Sequence, residues 1–532
     1  MQGELKVTLI LFCAILLRCC VTFHPHSGEG KPPMYGDYEA QRHWQEIALN
    51  LPVNQWYINT TDNDLQYWGL DYPPLTAYHS LLLGHIANTI DPSFVRLHES
   101  RGIETVTHKH FMRLTVLIAD VLTFIPAVAY FVMKLCLCEC SQIKKLNICG
   151  KSKLRYFLLM TALIYPGLIM IDHGHFQYNC VSLGLFIAAV AAITRDWFAL
   201  SSVLFVLALN YKQMELYHAL PFFFYTLGSY KGRSWNSHSL MKLMGVSFTV
   251  LATFYIIWMP FLQSRDLLVN VVLRLFPFAR GVFEDKVANV WCAINVVYKL
   301  RKTFTNTTLA KICLVVTTCG VAPSCVHLYR SPGRNAFVVS LINSALAFFL
   351  FSFQVHEKSI LLAAVPVLLH FHNDPLPCFW FLVISCFSML PLLIKDGLYL
   401  VYILTMAIYF ITISWMWPGM FHDDKANDRS SRRESSNSKR RLLARKKEHG
   451  FSSYLGYNKK TCFLVTFYLS LSGVLLLSVA SKYVKPPERY PDLFPLLVSV
   501  YSCGHFLLFF VYFNYAQFTA SRGNCGKCVK YE

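Results

Sequence analysis

The 532 residues are 55% apolar, 15% aromatic and only 15% charged, too little polar surface for several soluble domains, so the chain reads as an all-α polytopic membrane protein. A formal net charge of +19 raises nucleic acid as a partner, but the basic residues gather in loops between apolar segments, where positive-inside bias puts them, and no nucleic-acid partner is expected. The eighteen cysteines lie mainly in apolar segments or basic loops, with Cys292 the main exception, and imply no disulfide framework.

Apolar runs of membrane length, some of them short, fall near 5–23, 112–134, 154–171, 178–194, 197–210, 214–228, 241–262, 308–328, 335–353, 359–371, 377–394, 397–418, 461–481 and 494–517, fourteen in all. The first lacks a small-x-small cleavage site and runs on through Cys19-Cys20-Val21, so it reads as an uncleaved anchor. Loop 134–155 carries Lys134, Lys144, Lys145, Lys151, Lys153 and Arg155 against Glu139 alone, and 422–450 carries ten Lys/Arg against five acids. Both are expected in the cytosol, whereas 24–111, with ten acids against five Lys/Arg, is expected in the lumen. Counting the apolar segment 287–302 as a fifteenth span would put 422–450 on the wrong side, so it reads as an interfacial or re-entrant helix.

The expected layout is a first transmembrane helix at 1–23, a lumenal catalytic loop at 24–111, and helices two to seven within 112–262. A lumenal loop with an interfacial helix follows at 263–307, then helices eight to twelve within 308–418. A basic cytosolic loop occupies 419–460, and 461–532 holds the last two helices and a cytosolic tail. Cys136, Cys138 and Cys140, and the pair Cys525 and Cys528, read as membrane-edge thiols, with metal binding or palmitate as alternatives.

Polar and aromatic residues concentrate in the loops assigned to the lumen. Residues Gly36 to Glu46 have helical spacing, with Asp37 as a candidate N-cap and Tyr38/Arg42 and Glu39/His43 each four apart. They read either as an amphipathic helix lying on the bilayer or as groups that meet a substrate. Gly69-Leu70-Asp71-Tyr72-Pro73-Pro74 sets Asp71 on a stiff turn, because each proline restricts its own φ and the residue before it. Asp71 there either caps the helix that follows or serves as a base. His173-Gly174-His175-Phe176-Gln177-Tyr178-Asn179 joins two spans with almost no linker, so His175 and Gln177 lie at the membrane surface as hydrogen-bonding groups or anchors. Lys212 and Glu215, and His356, Glu357 and Lys358, place cations and carboxylates at span ends, where ionisable groups are functional candidates and a structural Lys–Glu pair is the alternative. In the 263–307 loop, Arg274, Arg280 and Glu284 offer anion-binding and acidic groups. Asp62-Asn63-Asp64 reads as a polar turn, and no metal, zinc-spaced or Gly-rich phosphate motif stands out. Asn59 and Asn306 head N-x-Thr sequons and are glycosylation candidates.

Residues Gly36 to Glu46, the run Gln66-Tyr67-Trp68-Gly69-Leu70-Asp71-Tyr72-Pro73-Pro74-Leu75-Thr76-Ala77-Tyr78-His79 and the His356-Glu357-Lys358 block closely resemble the endoplasmic-reticulum glucosyltransferases of the GT-C superfamily that use dolichyl phosphate glucose. The resemblance extends from about residue 27 to about 420, and the basic 423–449 stretch departs from it. It points to the branch that adds a first glucose, in α-1,3 linkage, to the nine-mannose dolichyl-diphosphate oligosaccharide. It implies a GT-C fold of about fourteen transmembrane helices with lumenal loop helices, in the endoplasmic reticulum membrane. Its donor is dolichyl phosphate glucose, its acceptor is the dolichyl-diphosphate oligosaccharide, and no cofactor or metal is needed. It makes Asp71 the general base of an inverting transfer. Cations must then hold the leaving phosphate, for which His356, Lys358, Arg280 and Lys212 are the candidates, and the candidate substrate-binding residues beside them are Asp37, Glu39, Arg42, His43, Trp68, Tyr72, His175, Gln177, Glu284 and Glu357. The other readings are a second-glucose or mannosyl transferase of the same superfamily, or a polytopic lipid or sugar transporter.

Overall fold

The computed structural model describes residues 2–135, 151–232, 235–276, 286–421 and 442–523. The described residues form helices and turns with no strand. Nine helices among them are long and apolar enough to cross a membrane: Gly3–Thr22, Val106–Lys134, Ser152–Phe176, Ser237–Phe261, Asn306–Arg330, Arg334–Phe351, Tyr399–Met416, Thr461–Tyr483 and Leu493–Thr519. The expected runs at 178–194, 197–210 and 377–394 appear as the shorter apolar helices Asn179–Ile193, Phe198–Tyr211 and Pro375–Ser388. The segment 287–302 is broken into Val290–Val297 and Leu300–Thr303. Eight residues at 1.5 Å each reach about 12 Å, well short of a bilayer core. Most of the basic loop 422–450 and the cysteines Cys136, Cys138, Cys140, Cys525 and Cys528 lie outside the described residues.

Ionisable residues are not confined to span ends. Asp120, midway along Val106–Lys134, meets Arg18 of the first helix at 2.5 Å and His173 Nε2 at 2.9 Å. Arg18 also donates to the carbonyls of Ala14 and Leu163. The charge is compensated where it is buried, so the cluster ties three spanning helices together.

A second core forms beside the membrane helices. It contains Trp44, Ile47, Leu51, Trp56, Tyr57, Leu70, Ala77, Phe261, Leu267, Val271 and Leu275, drawn from the 24–111 loop, from the end of Ser237–Phe261 and from the start of 263–307. Burial of these aromatics, each removing a large apolar area from water, makes the first long loop a packed unit. Helix Gly36–Asn50 packs against helix Pro74–Ile90. Contact is closest at Gly84, where a Cβ would lie 2.9 Å from the Gln45 carbonyl.

Helix Gly36–Asn50 does not lie on the bilayer as an amphipathic surface helix: every residue from Tyr38 to Ala48 is buried. Its polar face is buried because it is paired. Arg42, with no exposed surface, donates to both oxygens of Glu39 at 2.8 and 2.6 Å, to Glu46 at 2.7 Å and to the Ser100 hydroxyl at 2.5 Å. Tyr67 donates to Glu39, the His98 amide donates to Glu46, and His43 Nδ1 lies 3.1 Å from Glu46. Burial raises the Glu46 carboxyl, but His43 and Arg42 outweigh it and bring it to about 2. Helix Gly36–Asn50 starts after Tyr35, so Asp37 is not its N-cap but sits in its first turn, where the helix dipole favours a carboxylate.

Removing the guanidinium leaves Glu39 with the Tyr67 hydroxyl and Glu46 with His43 and the His98 amide, but takes away the cation shared by the two buried carboxylates. Arg42→Met should therefore cost about 3–5 kcal/mol of stability, read as a lower thermal midpoint in detergent. The folded Glu46 titrates near 2 against an ordinary 4.5. Its contribution is complete above pH 4.5 and is lost as pH falls toward 2, so the gap between parent and variant should hold from pH 6 to pH 4.5 and narrow as pH falls from there toward 3.

Candidate active site

Four stretches far apart in sequence meet at Asp37. Its Oδ2 accepts from Lys358 Nζ at 2.6 Å and from Gln177 Nε2 at 2.6 Å, and lies 3.0 Å from His175 Nε2. On its other side His175 Nδ1 is 2.5 Å from Asp396 Oδ2, while Lys358 Nζ stands 3.2 Å from His175 Nε2. Burial works to raise the Asp37 carboxyl, yet Lys358 and His175 hold it well below the usual carboxylate range. Lys358 is the mirror case: burial lowers it, and Asp37 more than restores it. The cation of the 354–358 loop is thus matched to Asp37, and its hydrogen bonds go to Asp37 and His175 rather than to Glu357.

Lys212 sits differently. It donates to Asn179 Oδ1 and, at 3.5 Å, to Gln177 Oε1, and its ammonium lies 5.3 Å from the centre of the Tyr72 ring. These are neutral groups. Burial, then Lys358, push its amine down to about 8. Asn179 is itself fixed by Asp172, which accepts from its side chain at 2.7 Å. A small cleft opens here, lined by Gln41, Tyr72, Thr76, Gln177, Tyr178, Asn179, Tyr211 and Lys212. Lys212 is the only charged side chain among them.

Asp71 borders this cleft through its neighbours. Gln213 donates to the Asp71 carbonyl at 3.1 Å, and Tyr72 is on the cleft wall. Helix Pro74–Ile90 starts after Pro73 with no side-chain cap, so Asp71 does not cap it. The two prolines instead carry the chain from the Asp71 turn straight into the helix.

Asp37, Tyr72, His175, Gln177, Lys212 and Lys358 are therefore brought together. Glu39, Arg42 and His43 are not; they are enclosed in the ion network that supports the helix carrying Asp37. Trp68 is held in the second core by its indole bond to the Met34 carbonyl. His356 is exposed just before the turn that bears Lys358, and Glu357 retains one buried oxygen without a hydrogen bond. Arg280 and Glu284 lie outside the described residues. Arg274, expected as an anion ligand, instead donates to backbone carbonyls of Leu65, Gly69 and Leu70. Asp62 and Asp64 serve local contacts, with His98 Nε2 at 3.1 Å and with the Gln66 amide. Asn59 is exposed, and Asn306 is the exposed first residue of its helix.

Sequence reasoning did not pick out Asp396, Gln41, Asn179 or Tyr211. For Asp396 a signal existed: Lys395-Asp396-Gly397 interrupts two apolar runs on the same side of the bilayer as the 354–358 loop. For Gln41 and Tyr211, inside helices, none did.

Comparison with known proteins gives a consistent result. The model of the ALG6, ALG8 glycosyltransferase family matches residues 14–512. The chain is 46% identical over 510 residues to a Gallus gallus protein named dolichyl pyrophosphate Man9GlcNAc2 alpha-1,3-glucosyltransferase, covering 96% of each. It is 44% identical over 523 residues to a probable enzyme of that name from Drosophila melanogaster, covering 98% of this chain and 99% of the other. The probable Arabidopsis thaliana enzyme is 41% identical, covering 96% and 89%.

The pairing of Lys358 with Asp37 is testable by a double-mutant cycle on thermal stability. Lys358→Met and Asp37→Asn should each destabilise, and together should cost less than their sum by about 0.5–3 kcal/mol. Lys358→Met combined with Glu357→Gln should be close to additive.

Proposed function

Because the chain belongs to the ALG6, ALG8 glycosyltransferase family, we propose that it transfers a first glucose, in α-1,3 linkage, from dolichyl phosphate glucose to the dolichyl-diphosphate oligosaccharide Man9GlcNAc2. The observation that carries the site is the polar cleft beside Lys212, whose wall includes Tyr72, the residue after Asp71, and whose one cation hydrogen-bonds only to neutral groups.

In this reading Asp71 removes the proton from the acceptor mannose hydroxyl as its oxygen attacks the anomeric carbon of glucose. The carbon–oxygen bond to phosphate breaks, dolichyl phosphate leaves with the electron pair, and Asp71 ends protonated. A β-linked phosphate becomes an α-glucoside, a single inverting displacement. Inverting glycosidases need a second carboxyl as acid; here the leaving phosphate is already a stable anion, so one base suffices. Lys212 is the cation we assign to that phosphate. Its hydrogen bonds go to amides, while Asp172, Asp37 and Glu215 act on it only through space, and an arriving phosphate adds a direct, charge-assisted partner. Lys358, already matched by Asp37, holds the scaffold around the phosphate site.

The site faces the lumen of the endoplasmic reticulum in this proposal. We count fourteen crossings by adding to the nine long helices the shorter Asn179–Ile193, Phe198–Tyr211, Ala219–Lys231 and Pro375–Ser388, and Leu361–His370 together with the Glu357–Ile360 turn that leads into it. That parity assigns the loops at 24–111, 172–178, 210–215, 354–358 and 395–397 to one side. Support comes from the bonds that join them: Asp37 to Lys358, His175 to Asp396, Lys212 to Gln177, and Lys31 to the Lys395 carbonyl.

Purified protein given synthetic dolichyl phosphate glucose should extend the acceptor by one hexose, sized by mass. Asp71→Asn keeps the shape but cannot take the proton, so its rate should fall about a hundredfold to ten-thousandfold; near-normal transfer would refute the base assignment. With Lys212 titrating near 8, its charged form prevails below that pH. The apparent KM for the donor should rise as pH passes 8 while the acceptor KM stays flat. Lys212→Arg, charged throughout, should abolish that rise.

A further inference from the structure

Every carbonyl from Trp68 to Tyr72 accepts a hydrogen bond from a side chain of another segment. Trp44 donates to Trp68 at 2.8 Å, Arg274 to Gly69 at 2.8 Å and to Leu70 at 3.1 Å, Gln213 to Asp71 at 3.1 Å, and Tyr57 to Tyr72 at 2.8 Å. Arg274 reaches a further carbonyl, that of Leu65, at 3.3 Å. Gly69 and Leu70 are buried and their neighbours half-buried, so these carbonyls depend on protein donors in place of water, and the donors fix the path of the turn.

We propose that Arg274 is a positioning residue that holds Asp71 at its working distance from the acceptor hydroxyl, an inference that rests on Asp71 being the base. Three features carry it. The planar guanidinium fork serves three carbonyls at once, which a lysine ammonium on a flexible stem cannot reproduce. Gly69 leaves room for it, because a Cβ at that position would lie 2.8 Å from Arg274 Nη2 and 2.7 Å from Leu65 Cα. The arginine itself is anchored: it stands on the last turn of helix Arg265–Leu275, capped by the Ser264 hydroxyl, with Leu267, Val271 and Leu275 sunk in the second core. The base thus hangs from a helix of the 263–307 loop, a different segment from the one that carries it. Displacement of a catalytic group by about 1 Å costs up to about a hundredfold in rate.

The test is steady-state transfer from dolichyl phosphate glucose by full-length Arg274→Ala, Arg274→Lys, Asp71→Asn and the double variant Arg274→Ala/Asp71→Asn, with thermal midpoints measured alongside. Arg274→Ala should lose about tenfold to a hundredfold in kcat with the KM for donor and acceptor within about twofold, and Arg274→Lys should recover part of the loss. In the Asp71→Asn background the alanine substitution should cost nothing more, because its effect passes through the carboxylate. A normal kcat for Arg274→Ala beside a crippled Asp71→Asn removes Arg274 and leaves the base standing. Additive losses in the double variant place the action of Arg274 elsewhere and also overturn the proposal. Near-normal transfer by Asp71→Asn instead strikes the base assignment, and the positioning role with it. If Arg274→Ala does not fold, Arg274→Lys carries the comparison, and failure of both to fold makes Arg274 a structural residue only.

Discussion

The ion pair between Asp37 and Lys358 closes a loop of 321 residues, and the arrangement of the candidate site depends on it. Burying either charge alone would cost several kcal/mol, so each segment is stable at this position only when the other is present. His175 and Gln177 reach the same carboxylate oxygen from a third segment, and Asp396 adds a fourth through His175. Membrane helices can slide and tilt against one another at little cost in a hydrocarbon solvent, where apolar packing is poorly directional. A mutually compensated charge cluster at their ends is directional, and it sets where the ends meet.

The same principle separates the two lysines that composition alone cannot tell apart. Lys358 has a carboxylate at hydrogen-bond distance and is raised above its ordinary value, whereas Lys212 rests on amide oxygens and a tyrosine face and is lowered. A matched buried cation is a structural element. One whose hydrogen bonds go only to dipoles, with carboxylates no nearer than through-space range, remains receptive to an anion, which is why we propose Lys212 for the phosphate.

Around this centre the 24–111 loop is built for stiffness. Helix Gly36–Asn50 spends its polar residues on an internal network through Arg42, and the turn bearing Asp71 is held by donors from four other segments of the chain. Rigid placement matters in the transfer we propose, with one base and one anion site, since orientation then carries much of the rate.

Hydropathy and charge bias in the sequence already determined the helical membrane architecture, and the Gly36 to Glu46 and Leu70 to Pro74 runs already indicated the family resemblance. Those are local or composition-level properties: a run of apolar residues must leave water, and a double proline stiffens its turn whatever surrounds it. Tertiary structure decided the rest. Glu39, Arg42 and His43 look like ligands in sequence because charged residues at helical spacing are indistinguishable from a solvated or substrate-facing face. Only the packing of Tyr67, His98 and Ser100 over this network makes it internal. Arg274 reads as an anion ligand until the carbonyls of Leu65, Gly69 and Leu70 are placed around it, and Lys358 reads as a cation for the donor phosphate, or as the partner of its neighbour Glu357, until Asp37 arrives from the other end of the chain. A charge's role depends on which opposite charge lies within a few ångströms in space, and that distance is not written in the order of the residues.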